Sequence, residues 1–573
     1  MSERVVWMIA AVPSFWAWSY AVTRGSDLWW HLAGGRWAVT HRAVPLADPF
    51  SFTAAGRPWL NDAWLSDLVL YGWTRAFGLH ALAWWKWGMV VGTFLLLLWT
   101  LGRLCERDGA APYLACLLAL AVTAPFLDMR PQLFSFLGFV AVLALTVGRP
   151  RPSWGLPLVF LAWVNLHAGV LFGLLALPVL LLPALAAGDA AVRRRALLVI
   201  ALAAAACLVN PSGIAVFTRP LRYAFDPGSP FRSIGEWQPP FRPGGLRSAY
   251  YPLGIGAFVL AALAVLAAAA RRRPALPPWI WNGLALGGVT LAMSLRSRRF
   301  IPLFAIALTL VVAPVLHRVL APLRARLPAG ALPAAVALLG LAWLAPYPQA
   351  SYAFHYLTAE DSFPIATGDF IEANALAGDV FAYYNWGGYL HWRTAGRMRV
   401  FIDGRAEAVF DDETYRRYLR VLGGAPGWPG VIADSGARFV LWPRARREVP
   451  AALVAGGGWR PLYEDAVALL LVRADHALGR DLVPPPPSAY RETAAGLFRL
   501  ERGMARAAIP HLERALDEIP YLGLACLLLA RAQASAGDGG AARATAARCD
   551  DLFPRAAEHA DLERWIASHA GRR

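Results

Sequence analysis

The chain has 573 residues, 57% of them hydrophobic and 16% charged; soluble domains carry about 25% charged residues, so an ordinary soluble protein is excluded. The net charge of +17 does not argue for nucleic acid, because the basic residues are nearly all Arg, dispersed, and set beside apolar segments, where they determine membrane topology. Cys105, Cys116, Cys207, Cys526 and Cys549 have neither metal-ligand spacing nor a disulfide framework and read as filler.

Apolar runs of about 20 residues, the length that crosses a bilayer as helix, recur through the first 350 positions. Val5–Val22 lacks a small-residue cleavage site and reads as the first span. Candidate spans follow at about 79–101, 110–127, 131–148, 154–167, 169–187, 195–211, 251–270, 277–295, 300–317 and 328–346. Alternate connections hold the basic residues: Arg103 and Arg107; Arg149 and Arg151; Arg193, Arg194 and Arg195; Arg271, Arg272 and Arg273; Arg318, Arg324 and Arg326. The positive-inside rule makes these connections cytoplasmic. About eleven transmembrane helices then place the N-terminus inside. Loops 24–78 and 212–250, and everything after Pro346, fall outside.

The first external loop is the most motif-dense stretch. Gly25 to Asp67 reads GSDLWWHLAGGRWAVTHRAVPLADPFSFTAAGRPWLNDAWLSD. Leu28–Val39 and Ala63–Ala76 have the pattern of interfacial amphipathic helices. Trp at an interface is common, but Asp27, Asp48 and Asp62 gain little there without a partner. With Trp30 and His31 they are candidate chamber residues. The three acids could supply hard oxygen ligands to a divalent metal, although no spacing dictates a metal site and no cofactor is specified.

Polar residues then gather at outer span ends: Asp128, Arg130 and Gln132 in FLDMRPQLFSF, Asn165 and His167 in WVNLHAG, Asn210 after span seven, and Glu236 in the loop beyond it. Such groups are costly at membrane depth and usually line a cavity. Arg130, Asn165, His167 and Glu236 are therefore assigned to one outward-opening chamber. Arg296, Arg298 and Arg299 oppose the topological bias on the outer face. A lipid phosphate or pyrophosphate is their natural partner, since Arg forks match phosphate oxygens.

After the last span the composition becomes that of an α/β domain. Ala377–Tyr384, Arg399–Asp403, Phe439–Trp442 and Ala466–Val472 read as strands. Gly387 and Gly388 suggest a tight turn where backbone meets ligand or membrane. Asn385, Asp403 and Arg405, in YYNWGGYLHW and FIDGRAE, are candidate chamber residues. VPPPPS marks a stiff linker. Beyond it Gly503 and Gly537, Ala507 and Ala541, and Pro520 and Pro554 each recur at the 34-residue tetratricopeptide (TPR) period, with Ala556–His569 as a capping helix. The expected organisation is residues 1–348 as membrane module, 349–482 as extracytoplasmic α/β domain, 483–489 as linker and 490–573 as TPR-like helices, which could take a protein partner.

In this arrangement, a long first external loop with interfacial helices, an acid just after helix one, many spans and a C-terminal external domain, the chain resembles the GT-C superfamily of membrane glycosyltransferases. DLWWH…PLADPFS…PW…AWL, NWGGYL and FIDGR also resemble a bacterial polytopic group that ends in TPRs. The GT-C resemblance implies a polyprenyl-phosphate-linked sugar as donor, Asp27 as base or acceptor-positioning acid, and Arg296, Arg298 and Arg299 as the donor-phosphate grip. It also implies a multi-pass protein of the bacterial inner membrane, in contact with its lipid and with its chemistry on the outer face. The chain departs from the pattern in lacking a paired-acid DxD motif, and Asn385 stands where the WWDYG motif of oligosaccharyltransferases has an acid. The expected function is sugar transfer to a lipid, glycan or protein acceptor. A catalytically silent envelope scaffold is the alternative, favoured by the repeats and the missing acid pair. A transporter fits less well, because the middles of the spans are nearly free of charge.

Overall fold

The computed structural model describes residues 3–22, 25–106, 109–218, 226, 228–242, 245, 248–271, 277–324, 326, 328, 330–358, 362–478 and 481–552. Arg107, Arg272, Arg273, Pro554 and the segment 556–569 lie outside the described residues. Two compact units emerge. One takes residues 1–23, 60–73 and 84–347, the other 24–59, 74–83 and 348–573.

Each of the eleven apolar segments contains a helix: Glu3–Ser19, Leu82–Leu101, Ala110–Thr123, Gln132–Thr146, Leu156–Leu166, Val170–Ala187, Ala190–Ala206, Tyr251–Ala270, Pro278–Arg296, Ile301–Arg324 and Ala331–Leu344. Four runs, Leu79–Leu101, Val170–Ala187, Tyr251–Ala270 and Arg298–Leu323, have the length and hydropathy to cross a membrane. The others are shorter or less apolar. In the first unit Ile301–Arg324 is central. Its first fourteen residues are buried, and it packs on Ala110–Thr123 and Pro278–Arg296, while Glu3–Ser19 packs on Ala331–Leu344.

The second unit is built on a five-stranded sheet of order β2-β1-β3-β5-β4, with β1 Gly378–Ala382, β2 Met398–Val400, β3 Phe439–Pro443, β4 Trp459–Glu464 and β5 Ala468–Arg473. β1 pairs in parallel with β2 and β3, and β5 runs antiparallel to β3 and β4. Sequence reading finds four of these strands and misses β4, which contains Pro461. That proline is tolerated because β4 is an edge strand with an irregularity between Pro461 and Tyr463.

Gly387 and Gly388 do not form the expected tight turn. They open the helix Gly387–Thr394, which lies against the first-loop helix Asp27–His41. A Cβ at position 388 would sit 2.9 Å from the Trp30 backbone nitrogen. Gly388→Ala should therefore push the two helices apart and cost about 1–3 kcal/mol; an unchanged unfolding midpoint would refute the close approach.

The tail helices Ala489–Glu501, Ala505–Glu518, Gly523–Ser535 and Gly539–Leu552 start at matching intervals, 489 to 523 and 505 to 539, each 34 residues apart. Gly503 and Gly537 occupy the same place in successive hairpins, both with positive φ, where glycine is the default residue. The tail also docks on its own unit. Arg444 bonds Glu464 at 2.6 Å, pairs with Glu501 and lies over the Phe498 ring.

Cys526 and Cys549 are not filler. They form a disulfide with Cα atoms 5.9 Å apart, joining the last two described helices. Their separation of 23 residues matches no local motif and becomes meaningful only once the helices fold back on each other. Converting either cysteine to serine should cost the tail about 2–4 kcal/mol, read as faster hydrogen exchange across residues 505–552. Equal exchange in wild type and variant would rule this out.

Candidate active site

Asp27 is the first residue of the helix Asp27–His41, where a carboxylate faces the positive end of the helix dipole. The second unit seats this acid against the FIDGRAE segment: a Cβ on Gly404 would lie 3.2 Å from Asp27 Oδ1 and 3.6 Å from Trp30 Nε1. Burial, then Tyr415, and then the carboxylates of Glu407, Asp27 and Asp403 push the Tyr384 phenol well above its usual range. Asp27, Trp30, Tyr384, Gly404 and Glu407 thus share one neighbourhood, next to exposed Asn385. Sequence reading names Asp27, Trp30 and Asn385 here but misses Tyr384. It sits in the quoted YYNWGG string, whose aromatic density was the available signal. His31, on the same helix, is buried.

Beside this neighbourhood lies a fully buried ion network. Arg405 donates to Asp48 Oδ1 at 2.6 Å and to Asp403 Oδ2 at 2.7 Å, and none of the three side chains is exposed. Its guanidinium lies over the rings of Trp59, Phe50 and Phe410. Asp48 also accepts from the Phe50 and Ser51 amides at 3.0 and 3.1 Å and from the Ser51 hydroxyl. His391 Nε2 lies 2.9 Å from Asp403 Oδ2. Burial holds the His391 imidazole below its ordinary pKa against the pull of Asp403, so the neutral ring donates through Nε2. Burial alone would raise Asp403, but Arg405 and the His391 hydrogen bond outweigh it and hold the carboxyl well below the carboxylate range.

The network fixes residues 48–52 to the sheet. Ser51 bridges Val400 in parallel, the Val400 amide donates to Phe50 O at 3.2 Å, and the Phe52 amide donates to Val400 O at 3.1 Å. Residues 50–52 thereby extend the β2 edge. Arg36 donates to the carbonyls of His391 and Trp392 at 2.8 and 2.5 Å and stacks on Trp392. Asp48, Asp403 and Arg405, candidates for a solvent-facing chamber by sequence, are buried struts in the structure. His391, their fourth member, was missed because a lone His in an aromatic string carries no spacing signal.

The first unit gathers the remaining candidates. Arg130 donates to Glu236 Oε1 at 2.7 Å, with Asp128 Oδ2 3.9 Å from its Nε. The segment holding Glu236 is fastened to the Arg-rich turn. Ser297 Oγ donates to Glu236 O at 2.9 Å, the Arg298 amide donates to Gln238 O at 3.1 Å, and Arg299 lies over the Trp237 ring at 4.8 Å. Arg130, Glu236, Arg298 and Arg299 are thereby brought together. Arg296 ends its helix in an exposed position.

Asn165 and His167 serve as braces. Asn165 accepts from Trp64 Nε1 and donates to the carbonyls of Leu161 and Val209, all at 2.9 Å. Trp163 Nε1 donates to Ser135 Oγ at 2.8 Å. Ser135 Oγ in turn lies 2.7 Å from His167 Nδ1, which also accepts from the Gly169 amide. Asp62 is half-buried between Asn61 and Ala63, which are both buried.

One buried cation escaped the sequence reading. Lys86 is fully buried in the helix Leu82–Leu101 and donates to Ala21 O at 2.9 Å, with Asp128 as its opposite-charge neighbour. Among the described residues no three His, Cys, Asp or Glu side chains form a group able to hold a metal ion. Of the three acids considered for that role, Asp48 is already taken up by Arg405.

No protein-family model matches the chain, and no curated protein matches it in sequence. Among solved structures it is similar to the oligosaccharyltransferase AglB from Archaeoglobus fulgidus, in complex with an inhibitory peptide and a dolichol-phosphate. Identity is 14%, over 93% of this chain and 85% of that one, with a TM-score of 0.54. Weaker likenesses are to the Archaeoglobus fulgidus oligosaccharyltransferase tethered with an acceptor peptide containing the NVT sequon (14% identity, 85% and 76% coverage, TM-score 0.48) and to ArnT from Cupriavidus metallidurans bound to undecaprenyl phosphate (16%, 83% and 99%, 0.44). At these identities the likeness is one of fold. The chain shares the fold of the first of these, mostly helical with apolar helices and a C-terminal sheet domain.

Proposed function

We propose that the chain is a GT-C-type glycosyltransferase of the bacterial inner membrane, moving a sugar from a polyprenyl-phosphate carrier to a lipid, glycan or protein acceptor at the outer face. The observation that carries this reading is the seating of Asp27 against Gly404, in a chain with the fold of an oligosaccharyltransferase. In the reaction the acceptor hydroxyl oxygen bonds to the anomeric carbon and the carbon–oxygen bond to the carrier phosphate breaks. The phosphate leaves with the electron pair, and the acceptor proton passes to the Asp27 carboxylate. Arg298 and Arg299 would offset the charge that grows on the departing phosphate. The Cys526–Cys549 disulfide supports an oxidising location for the tail, in agreement with an extracytoplasmic C-terminus.

Donor binding tests the reading. A short-chain polyprenyl-phosphate sugar should bind the purified protein saturably, and an Arg298→Ala, Arg299→Ala double variant should bind at least tenfold more weakly, as expected for lost charge-assisted bonds of about 1.5–3 kcal/mol. Failure to bind across several donor sugars would favour the scaffold alternative.

A further inference from the structure

The sheet has two poles. The C-terminal ends of β1 and β2 lead into Tyr383–Trp386 and Ile402–Arg405, the side of Asp27. At the other pole stand the starts of β1, β2 and β3, the end of β5 and the start of β4, because Trp459 pairs with Arg473 and Gly378 with Met398. Arg397, Arg399, Arg438, Arg460, Arg473 and His476 all lie at this second pole, opposed by Asp379 and Asp475.

A concavity of about 300 Å³ opens here, lined by Ala377, Gly378, Asp379, Arg399, Gly436 and Arg438. Gly378 and Gly436, at φ 139° and 79°, put no side chain into it. Arg399 is held by Asp379 through bonds of 2.9 and 3.2 Å. Arg438 is exposed, and among the described residues its guanidinium makes no hydrogen bond or ion pair. His476 is held below its ordinary pKa by partial burial and then by the Arg438 guanidinium, a sign of the positive field at this pole. An open Arg fork beside a braced one suits an oxyanion. The surplus of cations favours one of more than a single charge.

We propose that this pole is a second binding site, for a phosphate group, separate from the Arg298–Arg299 grip and independent of the transfer reaction. The phosphate could come from solution or from a lipid headgroup.

The test uses the full chain in nanodiscs, in the Arg298→Ala, Arg299→Ala background so that the other candidate grip is silent. Pyrophosphate is titrated in phosphatidylcholine discs, and the same protein is compared in phosphatidylglycerol discs, with hydrogen exchange read at 377–379, 397–399 and 436–438. Protection by pyrophosphate identifies a soluble phosphate, and protection by the anionic lipid alone identifies a headgroup. Either should weaken about tenfold or more in Arg438→Glu, while Arg438→Gln serves as a milder variant whose unfolding midpoint controls for folding. Absence of protection with both probes, or equal protection in Arg438→Glu, overturns the proposal.

Discussion

Arg405→Met should destabilise the second unit by about 3–5 kcal/mol, the cost of leaving a buried charge without its partner. The effect is expected to be this large because the substitution strands two carboxylates, Asp48 and Asp403, in a site with no solvent exposure. It also removes the cation from the rings of Phe50, Trp59 and Phe410. The damage should reach the first loop as well as the sheet, since residues 50–52 are paired to Val400. Hydrogen exchange at 48–53 and 398–403 would rise together. Loss of protection in the sheet alone would show that the network does not fasten the loop.

The same network sets an acid limit. Asp403 is held below its ordinary pKa by Arg405 and His391 despite burial. Its stabilisation is therefore complete at neutral pH and begins to fade only as the pH falls below about 4, the unfolded value. Fading continues until the folded carboxyl itself takes up a proton. An unfolding midpoint that stays flat from pH 6 to 2 would contradict this assignment.

Asp27→Asn should leave the fold intact and lower sugar transfer by about 10²–10⁴-fold, the range for loss of a positioned general base. The amide keeps the shape of the side chain next to Gly404 and cannot take the acceptor proton. Donor affinity should be unchanged, because the phosphate grip is assigned to Arg298 and Arg299. Full activity in Asp27→Asn would move the base elsewhere, with Glu407, whose carboxylate also acts on Tyr384, as the alternative. An inactive wild type across donors and acceptors would favour the scaffold.

Hydropathy and charge alone located the helices of the membrane part, since each depends on a local run of side chains. Four strands and the 34-residue spacing of the tail were legible for the same reason. β4 was hidden by Pro461, whose tolerance depends on its edge position. The candidate residues were half legible in each unit: Asp27 and Trp30 in one, and Arg298 and Arg299 in the other, stand out by type and place, whereas Tyr384, His391 and Lys86 carry no spacing signal.

The role of Asp48 illustrates the difference. By sequence it is one of three acids in an external loop, equivalent to Asp27 and Asp62. Its partner Arg405 lies 357 residues away, a separation no local pattern encodes, and their pairing turns it from a chamber acid into a strut. Cys526 and Cys549 likewise meet only when two helices fold back. A helical chain with repeated apolar segments, an acid-bearing loop after the first of them and a sheet domain can be read from the residues alone, because length, hydropathy and period act locally. That residues 24–59 belong with that sheet follows from the folded chain alone, because burying Arg405 requires both Asp48 and Asp403 to be brought to it.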